Sequence, residues 1–279
     1  MAREAPVVVA NATGCLEVAS SIYPYTNWKL PWIHSAFENA AATISGVEAM
    51  HKVLKRKGKI DNDIKFLAIG GDGGTYDIGL QSLSGALERG HDFVYLCYNN
   101  EAYMNTGYQR SGATPRGANT STTPVGTKIK GKLQKRKNIT AIVEAHGIPY
   151  IAQGSPGYYN DLINKAKKAF ETPGPAFLNV IQPCIPGWKI APHLTMELGK
   201  SAVDTAYWPA YEIVNGKLKI TIKPKTKKLL SEFLKHQGRF SHLLKTENKD
   251  ILDKLQQDVD GDWAVLLERE ENDQSKKAA

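Results

Sequence analysis

Short apolar runs closed by glycine, proline or asparagine recur along the chain, and stretches with helical spacing separate them. Residues 6–10 (Pro-Val-Val-Val-Ala), 64–69 (Ile-Lys-Phe-Leu-Ala-Ile), 93–98 (Phe-Val-Tyr-Leu-Cys-Tyr), 150–152 and 175–181 read as strands buried on both faces. From Ser35 to Lys55 the small residues Ala36, Ala40, Ala41, Ala42, Ser45, Gly46 and Ala49 fall on a helical pattern, which predicts a closely packing helix. His34 and Glu38 would share one face of its first turns, as an ordinary i,i+4 pair. Lys55-Arg56-Lys57-Gly58 ends it with positive charge where the helix dipole favours it. Further helices are expected from Tyr76 to about Arg89, after residue 139, from Asn160 to Phe170 and over 194–206. This alternation predicts a doubly wound α/β domain with a mostly parallel sheet. The segment from Ile22 to Trp32, with Tyr23, Pro24, Tyr25, Trp28 and Pro31, is an aromatic and proline-rich loop that no regular helix accommodates.

Past residue 195 the pattern changes. Asn215-Gly216 between alternating apolar residues is a hairpin signal. Helices follow around Lys227–Lys235 and Lys249–Val259, and 269–279 reads as a frayed polar tail. The chain thus divides into an α/β domain, residues 1–195, and a C-terminal extension, residues 196–279, built of hairpin and helices and suited to a subunit interface.

The chemistry concentrates at strand ends. Gly70-Gly71-Asp72-Gly73-Gly74-Thr75-Tyr76-Asp77 closes one strand, and Asn99-Asn100-Glu101-Ala102 closes the next. Ligands of open α/β sheets sit beyond the carboxyl ends of the strands. A right-handed crossover returns Asn100 to the same edge as Asp72. Glycines let backbone N–H groups approach phosphate oxygens, the following helix aims its positive end there, and Asp72, the Asn100 amide and the Ala102 carbonyl are hard oxygen donors for Mg²⁺. The stretch is neither a dinucleotide fingerprint, since Tyr76 stands where a third glycine is needed, nor a phosphate loop ending in Gly-Lys-Ser/Thr.

Composition narrows the partners. The 279 residues are 42% hydrophobic, sufficient for a real core. No apolar run approaches the roughly 18–20 residues of a membrane span. Three cysteines make no disulfide framework, and a cytoplasmic location is expected. The net charge of +8 comes largely from Lys128, Lys130, Lys132, Lys135, Arg136 and Lys137, and from Lys217, Lys219, Lys223, Lys225, Lys227 and Lys228. Neither group is interleaved with base-stacking aromatics, so nucleic acid is not expected. The runs read as solvated faces or as attraction for an acidic partner.

Gly71-Asp72-Gly73 with Asn100 at that distance resembles the thiamine-diphosphate motif. The continuation from Asn99 through Pro115 resembles the β subunit of 2-oxoacid:ferredoxin oxidoreductases, the pyruvate branch in particular. Ala10–Glu17, Pro31–Asn39 and Gln182-Pro183-Cys184 agree, so the resemblance runs from about residue 7 to about residue 245. It implies oxidative decarboxylation of pyruvate to acetyl-coenzyme A and CO2, with electrons passed to ferredoxin. It places Mg²⁺ on Asp72, Asn100 and Ala102, and the diphosphate on Gly71 and Gly73 near Thr13 and Gly14. Asn105 and Thr106 would reach the substrate. No acidic residue matches the glutamate that activates the aminopyrimidine ring. In the family the α subunit supplies it, so this chain is expected to act only with partner subunits of the α, γ and δ types.

Members of the family also hold a [4Fe–4S] cluster on four thiolates, two of which match Cys15 and Cys184. Cys97, within an apolar strand, reads as a core residue. The remaining two would belong to a Cys-x-x-Cys motif ahead of Pro6, which the chain lacks; truncation, a partner polypeptide or loss of the cluster would each account for that. Two alternatives stay open at this stage: a non-catalytic assembly subunit that binds the cofactor without a cluster, and a related enzyme acting on branched-chain 2-oxoacids.

Overall fold

The computed structural model describes residues 6–275. Strand β1 (Val7–Ala12) leads through the short helix α1 (Cys15–Ser20) to β2 (Trp32–Ser35), helix α2 (Ala40–Arg56) and β3 (Lys65–Gly71). A π-helical turn (Gly74–Ile78) and α3 (Leu80–Glu88) follow, then β4 (Val94–Asn99), α4 (Ile139–Glu144), β5 (Tyr150–Gly154), α5 (Tyr159–Glu171) and β6 (Ala176–Ile181). The chain closes with α6 (Ile185–Trp188), α7 (Thr195–Asp204), the hairpin β7 (Ala210–Val214) and β8 (Lys217–Ile222), α8 (Leu230–Leu234) and α9 (Lys249–Ser275).

All eight strands join one sheet in the order β2-β1-β3-β4-β6-β5-β7-β8, parallel except at the β5–β7 and β7–β8 pairs. The chain moves to one side of β1 for β2 and to the other for β3, so the winding reverses there. That reversal opens a crevice beyond the ends of β1 and β3, where α/β folds hold ligands. One core lies under α2 and α3 and runs on through Ile139, Tyr211, Ile213 and Leu218 to Trp263 and Leu266 of α9. A second joins Trp188 and Ile181 to α7, α8 and the first half of α9, and a third lies under α5 on the opposite face. Residues beyond 196 therefore enter the same sheet and the same cores as the strands before them.

Several expectations need correction. The aromatic stretch ends in a strand, because Trp32–Ser35 pair with Val9–Ala12 at the sheet edge. The next helix accordingly begins at Ala40, not Ser35, and His34 and Glu38 share no helix face. His34 instead bonds the Thr13 hydroxyl, 2.8 Å away. The polar tail is not frayed as far as Ser275: α9 is a single helix of 27 residues whose apolar stripe packs on the hairpin, while Asp273 caps the Leu218 N–H and Glu270 the Ile220 N–H. Residues 276–279 lie outside the described chain. The first lysine run is only partly a solvated face. Lys132 is buried and donates to the Thr114 carbonyl at 2.5 Å, and Arg136 lies over the rings of Tyr207 and Trp208.

Candidate active site

The ends of β1, β3 and β4 border one cleft. Thr13, Gly14, Cys15, Gly71, Asp72, Gly73, Asn100, Ala102, Asn105 and Thr106 all line it, and of the residues expected to bind cofactor, metal or substrate only Cys184 stands outside that lining. Backbone and side-chain bonds tie the strand ends together. Asn11 Nδ2 donates to the carbonyls of Ala12 and Ile69 at 2.9 and 3.3 Å, joining β1 to β3. The Thr13 N–H donates to the Ser35 carbonyl at 3.0 Å, joining β1 to β2.

Close packing explains two of the glycines. A Cβ at Gly14 would collide with the Tyr98 hydroxyl, and one at Gly73 would fall within 2.6 Å of three ring carbons of Tyr103. At Gly71 a Cβ would only touch the Tyr98 ring at 3.4 Å, an ordinary contact. Packing alone does not require that glycine. The Tyr98 hydroxyl is buried at the cleft wall without a hydrogen-bond partner.

The helix expected from Tyr76 opens earlier, as the π-turn, and continues as α3. π-Turns occur often at functional sites. This one lets Tyr76 reach back over the sheet, where its hydroxyl accepts from Asn99 Nδ2 at 2.8 Å and Asn179 Nδ2 at 2.9 Å. Its N-terminal end still faces the cleft at Gly73 and Gly74.

Three polar groups meet on the cleft floor: the Asn100 carboxamide donates Nδ2 to the Ala102 carbonyl at 2.8 Å and to Asp72 Oδ1 at 2.9 Å, and a half-turn of the amide would present its oxygen there instead. A group of acceptors gathered this closely suits a small hard cation. Burial pushes the Asp72 carboxyl up to about 8, with the Glu101 charge adding and the hydrogen bond from the Ser111 hydroxyl opposing. Asn105 and Thr106 are exposed at the rim, where the Thr106 hydroxyl donates to Gln109 Oε1 at 2.6 Å.

Cys15 opens α1 at the cleft wall and Cys184 directly precedes α6. Burial raises both thiols above their ordinary range. The Cys184 and Asp72 charges add to the effect at Cys15, while the Gly187 backbone and the Arg239 charge oppose it at Cys184. Cys97 is wholly buried in the sheet. Two thiols do not make a four-thiolate ligand set.

Residues outside the expected ligand set support this site. Ser111 touches Asp72, Tyr103 donates its hydroxyl to the Gly73 carbonyl at 3.0 Å, and Trp188 Nε1 donates to the Asn100 carbonyl at 2.8 Å. Arg136, Tyr207 and Arg239 gather on Glu101. No local pattern announces the last three, since they come from distant parts of the chain.

The family model "Thiamine pyrophosphate enzyme, C-terminal TPP binding domain" matches residues 12–180. Pyruvate synthase subunit PorB of Thermotoga maritima is 55% identical over 267 residues, which cover 95% of this chain and 82% of that protein. The protein of the same name from Methanocaldococcus jannaschii is 52% identical over 261 residues, covering 93% and 86%. Among solved structures, a 2-oxoglutarate:ferredoxin oxidoreductase from Magnetococcus marinus shares the fold, with a TM-score of 0.52 and 21% identity over 70% of this chain and 67% of that one.

Proposed function

The chain belongs to the thiamine-pyrophosphate enzymes and, within them, to the β subunits of 2-oxoacid:ferredoxin oxidoreductases of the pyruvate synthase type, and from that membership we propose how its own residues serve the reaction. It is an oxidoreductase subunit that works within a complex of several subunits. We assign pyruvate as the 2-oxoacid, coenzyme A as acyl acceptor, ferredoxin as electron acceptor, and α-, γ- and δ-type chains as the partners.

The observation that carries the assignment is the meeting of the Asp72 carboxylate, the Asn100 carboxamide and the Ala102 carbonyl below a glycine-built wall. Adjacent ligands of an octahedral Mg²⁺, each about 2.1 Å from the ion, stand about 3 Å apart. With its carboxamide turned to present Oδ1, Asn100 would stand 2.8 and 2.9 Å from the other two oxygens, close to that edge. These three would hold Mg²⁺, and Gly71 and Gly73, with Thr13 and Gly14 beside them, would hold the diphosphate of thiamine diphosphate. When bound, the cofactor supplies the carbanion chemistry that decarboxylates a 2-oxoacid. The protein's contribution is placement. The strand ends carry the ligand groups, the π-turn would offer its N-terminal end to the diphosphate, and Asn105 and Thr106 at the rim would meet the substrate's polar groups. Cys15 and Cys184 would supply two thiolates to an iron–sulfur cluster, and no electron-transfer step is assigned to this chain alone.

The complex purified anaerobically from its native source should reduce viologen with pyruvate only when coenzyme A, Mg²⁺ and thiamine diphosphate are all present. Activity that survives omission of Mg²⁺ and cofactor after exhaustive chelation and dialysis would overturn the assignment. Activity restricted to branched-chain 2-oxoacids would move the substrate and leave the site in place.

A further inference from the structure

Glu101 lies between the two residues that present the carboxamide and carbonyl oxygens, yet its own side chain runs into the core. It is fully buried. Its Oε2 accepts from Arg239 Nη2 at 2.6 Å, and its Oε1 accepts from the Tyr207 hydroxyl at 2.6 Å and from Arg136 Nη1 at 3.2 Å. The backbone at Glu101 has φ of 66°, a left-handed conformation uncommon outside glycine and asparagine. Such strain persists only where the surroundings over-determine it, and it gathers at functional sites.

The main chain on either side is held as firmly. The Glu101 N–H donates to Asn99 Oδ1 at 2.9 Å, and its carbonyl accepts from the Thr114 hydroxyl at 2.6 Å. The Asn100 carbonyl accepts from the Trp188 indole, and the Arg239 guanidinium lies 3.9 Å over that same indole ring. One arginine therefore grips both the Glu101 carboxylate and the ring that anchors Asn100. Buried ion pairs add little stability over apolar packing, but where they occur they can fix one geometry. Here the fixed geometry is the turn that brings the Asn100 carboxamide within 2.8 Å of the Ala102 carbonyl oxygen. Relaxation of residue 101 into the ordinary β or right-handed region would part them.

We infer that Glu101 and Arg239, with Arg136 and Tyr207, are positioning residues that hold the left-handed turn at Glu101 and so set the spacing of the cation's oxygen ligands. The C-terminal extension thereby controls cation affinity at the far side of the site without touching the ion. The inference rests on reading Asp72, Asn100 and Ala102 as a cation site.

The test uses the whole complex, stripped of cofactor, with thiamine diphosphate binding measured calorimetrically over a series of Mg²⁺ concentrations. Glu101→Gln and Arg239→Met should raise the half-saturating Mg²⁺ concentration about 10- to 100-fold, as loss of ligand-orienting partners does. Saturating Mg²⁺ should return thiamine diphosphate affinity to the wild-type value, because every ligand is still present. Arg239→Lys should recover part of the loss. Tyr207→Phe removes one hydrogen bond and leaves no charge unpaired, so it should fold normally and show a smaller rise. If the charge variants do not fold, Tyr207→Phe decides. An unchanged half-saturating concentration in a variant whose melting and circular dichroism match the wild type overturns the clamp. Two controls separate this from failure of the cation site. If wild-type binding ignores Mg²⁺ and Asp72→Ala has no effect, the site itself falls and the clamp with it. If Asp72→Ala abolishes Mg²⁺ dependence while Glu101→Gln and Tyr207→Phe leave it intact, only the clamp is refuted.

Discussion

Gly73→Ala is the most informative single change in the cradle, because it separates what a glycine does for the fold from what it does for a ligand. The new Cβ would lie within 2.6 Å of Cδ1, Cε1 and Cζ of Tyr103, where carbon–carbon contacts are ordinarily about 3.5–4.0 Å. The ring must retreat by about 1 Å. It is not free to do so, since its hydroxyl is bonded to the Gly73 carbonyl at 3.0 Å and its N–H to the Gln109 carbonyl at 2.9 Å. Overpacking of this kind costs about 1–3 kcal/mol, and loss of the hydroxyl bond about 1 kcal/mol more. At about 2–4 °C per kcal/mol, melting should fall by roughly 4–15 °C. Gly71→Ala is the control: its Cβ meets Tyr98 at 3.4 Å, so stability should stay within about 0.5 kcal/mol of wild type. Both variants should weaken Mg²⁺–thiamine diphosphate binding, as a methyl group then stands between the backbone N–H groups and the phosphate. In the Gly73→Ala/Tyr103→Ala double variant the coupling should be about 1–3 kcal/mol in stability, while cofactor affinity stays low. Scanning calorimetry and titration calorimetry on the assembled complex read the two quantities. Wild-type cofactor affinity in Gly71→Ala would refute the diphosphate assignment, and an unchanged melting temperature in Gly73→Ala would refute the packing argument.

Three further outcomes follow from the geometry. Burial pushes the Lys132 ammonium from its ordinary 10.5 down to about 8. Between those pH values the unfolded chain holds a proton that the native chain does not, so stability should rise with pH across that window, by up to about 3 kcal/mol, and the unfavourable contribution should be constant below it. Denaturant melts of wild type and Lys132→Met from pH 7.5 to 10.5 check this, and an equal slope in both would assign the effect to other groups. Cys15→Ser and Cys184→Ser should each lower the iron content of the anaerobic complex, whereas Cys97→Ala, a change inside the sheet, should leave iron unchanged and cost only stability; equal iron in all three would free Cys15 and Cys184 of a ligand role. Asn105→Ala should raise KM for pyruvate with cofactor affinity unchanged, and a loss confined to cofactor binding would move Asn105 out of the substrate pocket.

The strands and the chemistry at their ends were legible because both are local. Runs such as Phe66–Ile69 and Val94–Tyr98 are apolar on both faces and closed by glycine or asparagine, and a parallel sheet then carries Gly71–Gly73 and Asn100–Ala102 to one edge whatever the details of packing. The hairpin at Asn215-Gly216 was legible for the same reason, since Asn215 and Gly216 both adopt the positive φ that the turn demands. Readings that depended on what a segment packs against went astray. Trp32–Ser35 is a strand because the exposed edge of β1 was available to pair with it. The polar C-terminal segment is helical to Ser275 because the hairpin lies beneath it and offers N–H groups to Glu270 and Asp273. Lys132 and Arg136 turn inward because buried acceptors await them, the Thr114 carbonyl and the Glu101 carboxylate. The environment of Glu101 shows the division most clearly. That residue lies inside the motif and Arg239 lies 138 positions away with no periodicity to link them; a charge pairing between such distant residues exists only once the sheet, α6 and the C-terminal turn have brought them together. Strand, turn and crossover are local, and they suffice to carry Asp72, Asn100 and Ala102 to one sheet edge. The contacts around Glu101 come from segments far apart in the chain, which meet only when the cores close.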